Sequence, residues 1–515
     1  MNQSTFVKST LILTIATLLS KALGSLFRIP LQNIAGDEVL GIFSIVYPVY
    51  LVALILSVAG IPTAISKLIA EARATENESN IRAIYITASI LAVLFGLTSF
   101  SFIYVFSDPI ANMLGGPQVQ TALIIVAATL LVAPYMAVYR GYFQGFDDMR
   151  PTGTSQVIEQ LVRVTLILLM AYYLVSINAS TEVISGGVMV GSVFGALASL
   201  IYLLVLYHRS PFKVVKSKKF TFTTFKVWSG KILKLSIPIA IGSITMALLN
   251  FVDSVTVPFG LRQAGIDLSE IHYLFGIYSR GTTMVQIATV FASSIVLPLI
   301  PLMTRKMAEK DLIGTRSIIE RTHYMTYLIS WPASFGLLAL TLPVNLGLFT
   351  NLEGSSVLAI IGFSSVFTSL VLLGTGILQG MDLAKVAALF IIFGVLLKTV
   401  FNVLFIRMLG LDGAALSTLV VYVILFIINS FYIKKHIQFT LFNKRTVKIL
   451  VSSIIMGVVI GFPTLFIDFA TWSRLQALGY VCVAIALGVV LYFLQLFLYK
   501  EIGKNELKNV IKRRK

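Results

Sequence analysis

Cysteine is almost missing from this chain of 515 residues: Cys482 stands alone inside an apolar run. No disulfide can close within the chain, and no cysteine metal site can form. Histidine is nearly as scarce. His208, His272, His323 and His436 fall at expected span ends, with no second ligand at metal spacing, which predicts interfacial histidines and no metal centre. Charge is thin, at 12% of residues, and acids are outnumbered by bases, 22 against 40. No long polar segment is present either, since the stretch from His208 to Lys231 is too short to fold alone. Hydrophobic residues make up 57%. A soluble domain could not hide that much apolar surface, so lipid must be the solvent.

Apolar runs long enough to cross a hydrocarbon core recur along the whole chain. They predict about fourteen transmembrane helices, at 9–30, 42–66, 83–106, 120–143, 154–175, 183–207, 234–257, 274–302, 322–346, 356–379, 384–407, 413–433, 447–468 and 475–499. The first reads as a retained span rather than a cleaved leader: Lys21 and Arg28 interrupt its far end, and no small-x-small site follows.

The net charge of +18 is laid out between the spans. Connections 31–41, 107–119 and 176–182 carry no Lys or Arg, whereas alternate connections carry clusters such as Lys213, Lys216, Lys218 and Lys219. Roughly thirty basic residues fall on one side against about three on the other, which places both termini in the cytoplasm. The basic tail Lys508, Lys512, Arg513, Arg514 and Lys515 then serves topology and anionic lipid rather than nucleic acid.

An internal repeat is visible. Gly41-Ile42-Phe43-Ser44 recurs as Gly276-Ile277-Tyr278-Ser279, and Gln144-Gly145-Phe146-Asp147 as Gln379-Gly380-Met381-Asp382; Arg163 matches Lys398. Every pair lies 235 residues apart. An even number of spans separates equivalent positions, so the halves are parallel repeats. The fold class is therefore all-α and polytopic, with two pseudo-symmetric six-helix lobes plus two C-terminal helices. Its parts are an N-terminal lobe (1–207), a basic cytoplasmic linker (208–233), a C-terminal lobe (234–433), and spans 13 and 14 with the tail (434–515).

Five bases sit within spans: Lys21, Arg28, Arg163, Arg280 and Lys398. Each costs roughly 2.5–3.5 kcal/mol at a helix centre, so each should face protein or a wet cavity. Lys21 and Arg28, seven apart, are expected to share one helix face, with Arg28 near enough to the outer end to snorkel. Glu159 and Arg163 have the spacing of a helical ion pair. Lys398 and Asn402 repeat that spacing without an acid, which leaves Lys398 the freer cation. Arg280 has no acid at helical spacing inside its own span and ranks as the strongest single candidate. Asp253, one turn after Asn250, is a candidate for coupling to a cation or for charge balance. Asp37 and Glu38 are expected in the first outer loop, either solvated or as a gate. A cationic surplus at bilayer depth suits a permanent anion, and phosphate or pyrophosphate matches Arg and Lys chemistry.

The run Ser20-Lys21-Ala22-Leu23-Gly24-Ser25-Leu26-Phe27-Arg28-Ile29-Pro30, with Gly60-Ile61-Pro62-Thr63-Ala64-Ile65-Ser66-Lys67, Arg140-Gly141-Tyr142-Phe143-Gln144-Gly145, Tyr278-Ser279-Arg280 and Leu297-Pro298, resembles the MurJ-like lipid II flippases and the stage V sporulation protein B group. The resemblance covers nearly the whole chain. It implies a place in the multidrug/oligosaccharidyl-lipid/polysaccharide superfamily, with fourteen helices in two lobes around a central cavity. It maps a basic pair for the lipid pyrophosphate onto Lys21 and Arg28, an eighth-span arginine onto Arg280 and an outer acid onto Asp37, and it makes spans 13 and 14 a groove for the lipid tail. The sequence departs from the Gram-negative pattern in having Lys21 for an arginine and Ile29 after Arg28 in place of an acid.

The function this implies is a flippase, not an enzyme. It would move an undecaprenyl-pyrophosphate-linked cell-wall or polysaccharide precursor across the bacterial plasma membrane by alternating access, as a monomer among membrane lipids. No cofactor and no nucleic acid are implied, and the coupling ion is unspecified. Two alternatives stand beside it. One is a multidrug/cation antiporter of the same superfamily, which would want an interior rich in acids. The other is a membrane-embedded transferase on lipid-phosphate substrates, which would want a cluster of Asp, Glu or His beyond Asp147-Asp148.

Overall fold

The computed structural model describes residues 3–58, 60–210 and 220–499, and every regular element in them is helical. The lysines at 213, 216, 218 and 219 and the tail bases lie outside the described residues. The chain forms two compact units, Met1–Gly276 and Ile277–Lys515.

The first unit contains α1 (Gln3–Leu26), α2 (Arg28–Val58), α3 (Ile61–Ala74), α4 (Glu78–Val105), α5 (Ser107–Met113), α6 (Gln120–Ala127), α7 (Ala133–Gly145), α8 (Arg150–Ser176), α9 (Thr181–Arg209) and α10 (Phe222–Gln263). It ends within α11 (Leu268–Ala308). The second unit continues with α12 (Leu312–Ala339), α13 (Thr341–Phe349), α14 (Ser355–Gly380), α15 (Ala384–Leu409), α16 (Leu411–His436), α17 (Lys444–Gly461) and α18 (Arg474–Leu498).

Side-chain caps start many of these helices where sequence chemistry predicts it. Asn77, Ser180, Thr221, Asp311 and Asn443 each accept from a backbone N–H in the first turn, and Ser473 with Gln476 forms a capping box on α18.

Eleven segments are long and apolar enough to span a membrane, or twelve if the bent pair α12 and α13 is one span. The first of them, Ile12–Ala74, runs for 63 residues. That is about 95 Å of helix at 1.5 Å per residue, enough for two crossings of a core about 30 Å thick. α10, of 42 residues, is also long enough to cross such a core.

Three spans differ locally from expectation. The connection at 31–41 is no loop: α2 runs through it, broken only at Gly36 (φ 82°). The fourth span is interrupted by a 3₁₀ turn, Ala128–Leu131, between α6 and α7. The ninth bends by 79° between α12 and α13. Such breaks free backbone groups and are tolerated where protein rather than lipid surrounds them.

The repeat is legible in the backbone. Asp147 and Asp382, 235 residues apart, both take the left-handed conformation, each with φ 63°. The N–H of Asp147 donates to Gln144 O (2.9 Å) and that of Asp382 to Gln379 O (3.1 Å). The following N–H groups close the same turn, Asp148 to Phe143 O at 3.1 Å and Leu383 to Leu378 O at 2.8 Å. The same C-terminal motif thus ends α7 and α14.

Candidate functional site

Glycines on α9 set the position of α8. Gly191 and Gly195 lie one turn apart, and a Cβ on them would sit 2.7 Å from the carbonyl oxygens of Arg163 and Glu159 respectively. With Gly187 and Ser199 they make a small residue at every fourth position, the pattern that lets membrane helices approach closely. That approach brings α8's polar side chains against neighbouring helices.

Glu159 does not pair with Arg163. It accepts from Arg140 Nη2 on α7 at 2.7 Å, and Arg140 also donates to Ser155 Oγ (3.0 Å) and Ser199 Oγ (3.1 Å). A partner on another helix wins because Arg140 meets three acceptors at once. Arg163 turns instead to Tyr47 on α2: its Nη2 donates to the tyrosine hydroxyl, and its Cζ lies 5.1 Å from the ring centre. Arg28 approaches the same ring at 6.0 Å and the Phe43 ring at 5.7 Å. Arg28 therefore does not snorkel; it is 6% exposed, and Arg163 8%. Tyr47 carried no signal in the sequence, being one tyrosine of 20.

Lys21 and Arg28 fall on two successive helices. The helix is interrupted at Phe27, leaving Lys21 exposed on α1 and Arg28 enclosed at the start of α2. Asp37 is buried rather than looped out, because α2 resumes directly after Gly36; it accepts from Gln32 Nε2 at 3.0 Å. Glu38 is half-buried and accepts from Thr181. Asp253 is buried on α10, while Asn250 one turn earlier is exposed.

Two of the four histidines depart from the interfacial reading. His272 is buried against Gly115, and buried His323 hydrogen-bonds through Nδ1 to Ile319 O at 2.9 Å; His208 and His436 are exposed. Among the described residues no group of three or more His, Cys, Asp or Glu could hold a metal ion.

In the second unit Arg280 is 1% exposed, and its Nη1 donates to Asn351 Oδ1 (2.7 Å), Asn345 Oδ1 (3.1 Å) and Glu353 O (3.3 Å). Its Cζ stands 5.4 Å from the Phe349 ring centre. These bonds tie the end of α13 to the turn at 350–354. Lys398 is buried beside Tyr422, its Nζ 5.8 Å from that ring centre, with buried Asn402 one turn on.

Each unit also carries an apolar groove, and the repeat relates them. In the first unit Val49, Val52, Ala53, Thr98 and Phe102 line a cavity of about 480 Å³. In the second, Met284, Ile287, Ala288, Ala333 and Leu337, each 235 positions later, line one of about 410 Å³. The second is completed by α17 and α18, through Met456, Ile460, Gly488 and Tyr492. Both grooves are lined almost wholly by apolar side chains and suit hydrocarbon.

Eleven or twelve candidate spans, an internal repeat and buried cations belong to a polytopic α-helical membrane protein. Residues 6–307 match the polysaccharide biosynthesis protein family, and the chain belongs to that family. Within it the chain is a MurJ-like member of the multidrug/oligosaccharidyl-lipid/polysaccharide superfamily, a membrane flippase or transporter rather than an enzyme. It is 31% identical to the uncharacterised membrane protein YabM of Bacillus subtilis over 79% of this chain and 76% of that one. It is 25% identical to the lipid II flippase MurJ of Bacillus subtilis, covering 95% and 94% of the two chains. To stage V sporulation protein B of Bacillus subtilis it is 26% identical, covering 99% and 98%. The fold matches a solved lipid II flippase MurJ in its inward closed conformation with a TM-score of 0.68 at 16% identity, over 95% of this chain and 99% of that one. An inward-facing multidrug transporter of the same superfamily matches at 0.64 and 15% identity, over 81% and 94%.

Proposed function

We propose that this protein moves a polyprenyl-pyrophosphate-linked saccharide, a cell-wall or polysaccharide precursor, across a bacterial plasma membrane by alternating access, with both termini cytoplasmic and a single chain sufficient. One observation carries the reading: Arg28 and Arg163 are enclosed at span depth in the first unit, and among the described residues neither forms an ion pair with a carboxylate. A buried charge of this kind costs several kcal/mol unless something compensates it, and a phosphate that visits the site would do so. The second unit has buried bases of its own, Arg280 and Lys398. The groove completed by α17 and α18 offers apolar surface to part of the tail while the rest stays in lipid.

The multidrug exporter reading draws on the same fold, but a cationic drug needs acids free to receive it. Glu159 is held by Arg140 and Asp37 by Gln32.

Depletion and rescue tests the proposal. Cells depleted of their own lipid II flippase should grow when given this protein, and should lyse when given Arg28→Ala or Arg163→Ala at equal membrane levels. Full rescue by both alanine variants would remove the cationic site from the function.

A further inference from the structure

Tyr47 touches two arginines from two different helices. Arg28 opens α2 and Arg163 comes from the middle of α8, yet both guanidinium groups lie against one ring, at 6.0 and 5.1 Å. The hydroxyl of that ring accepts from Arg163 Nη2. Phe43, one turn earlier on α2, stacks on Tyr47 with ring centres 5.4 Å apart and 15° between planes, and also takes the Arg28 guanidinium at 5.7 Å. The Nε atoms of Arg28 and Arg163 are buried without a hydrogen-bond partner, and so is Nε2 of Gln160, three residues before Arg163 on α8. The acid one turn before Arg163, Glu159, is bound to Arg140.

Two like charges enclosed this way repel each other, and the aromatic face answers only part of that repulsion. The Nε edge of a guanidinium, with its neighbouring Nη, is the fork that takes two oxygens of a phosphate. On Arg28 and Arg163 the Nε of that fork is unspent. A carboxylate in Tyr47's place would have to be displaced by the arriving anion. A tyrosine holds the cations without neutralising them, so the pair stays ready for a stronger ligand.

We propose that Tyr47 is a positioning residue that holds Arg28 and Arg163 as a ready-made seat for one phosphate of a pyrophosphate, and fills the anion's role until it arrives. The inference rests on the flippase reading given above, and it adds a residue that carries no charge and reads in sequence as ordinary core.

The test uses the full chain purified in detergent, with Tyr47→Phe and Tyr47→Leu. Binding is measured by calorimetry for two probes, inorganic pyrophosphate and a polyprenyl pyrophosphate. Tyr47→Leu, which loses both ring and hydroxyl, should weaken both probes by about tenfold. Tyr47→Phe keeps the ring and should weaken both by only about threefold, with a lower melting temperature without ligand because Arg163 Nη2 loses its acceptor. Weakening of the lipid probe alone would place Tyr47 in chain recognition and overturn the inference. Binding by Tyr47→Leu equal to the parent's would overturn it and leave the flippase reading standing. Failure of the parent protein to bind either probe would remove that reading and the inference together.

Discussion

Gly41 and Gly276, equivalent residues of the repeat, lie against each other's helices in a reciprocal contact. A Cβ on Gly41 would overlap the carbonyl oxygen of His272, and one on Gly276 would overlap that of Asp37. Asp37 and His272 are themselves 235 residues apart, so α2 and the first turns of α11 cross through matching residues. Only glycine permits that approach, since backbone rather than a flexible side chain occupies the space.

Gly41→Ala and Gly276→Ala should each cost about 1–3 kcal/mol or more through overpacking. Thermal melting in detergent and the level of folded protein in membranes check this. Gly479→Ala on α18 is the control. A Cβ there meets nothing within 4 Å, so stability should hold or rise slightly.

Arg140→Ala should destabilise the first unit by about 2–3 kcal/mol, because it strands Glu159 and the hydroxyl of Ser199. The double variant Arg140→Met with Glu159→Leu should recover much of that loss. A double-mutant cycle on melting temperature reads the coupling.

Arg280→Lys should loosen the segment that follows α13. A lysine cannot reproduce the planar donors that meet Asn345, Asn351 and Glu353 O, and the loss should be about 1.5–3 kcal/mol. Hydrogen exchange across residues 350–354 should rise while exchange in the first unit stays as it was.

The turn between α11 and α12 should respond to acid. Glu309, bonded first by Arg305 and then by Lys306, and Asp311, bonded first by Lys306 and then by Gly314 N, are both held below the ordinary carboxylate range. A carboxylate depressed in the folded state contributes stability that is present above its ordinary pKa and is lost as pH falls through the folded value. Protection at residues 309–315, taken relative to the intrinsic exchange rate at each pH, should therefore be steady from neutral pH to about pH 5 and should fall below about pH 4.

Much of the fold was legible because two signals are local and periodic. Apolar runs of span length mark the helices, and the 235-residue register marks the repeat, which the paired φ angles of Asp147 and Asp382 repeat in three dimensions. The site was legible only in part. The buried bases stand out against an apolar background, but their partners come from elsewhere in the chain. Arg140 reaches Glu159 from another helix, and a neutral residue, Tyr47, lies against both Arg28 and Arg163. The spacing Gly187, Gly191, Gly195 and Ser199 was the available clue that α8 is pressed against α9 at Glu159 and Arg163. Asp37 was misplaced because Gly36 turns the helix without ending it, which no composition rule distinguishes from a loop.

Translocation in proteoliposomes tests the buried pair most directly. The protein is reconstituted with a fluorescent polyprenyl-pyrophosphate-linked saccharide, and the fraction reaching the opposite leaflet is followed for the parent, Arg28→Ala and Arg163→Ala. The expected result is translocation by the parent and its near-complete loss in both variants, with normal reconstitution and melting temperature. Translocation by Arg28→Ala and Arg163→Ala at the parent rate would contradict a role for these arginines in carrying the headgroup.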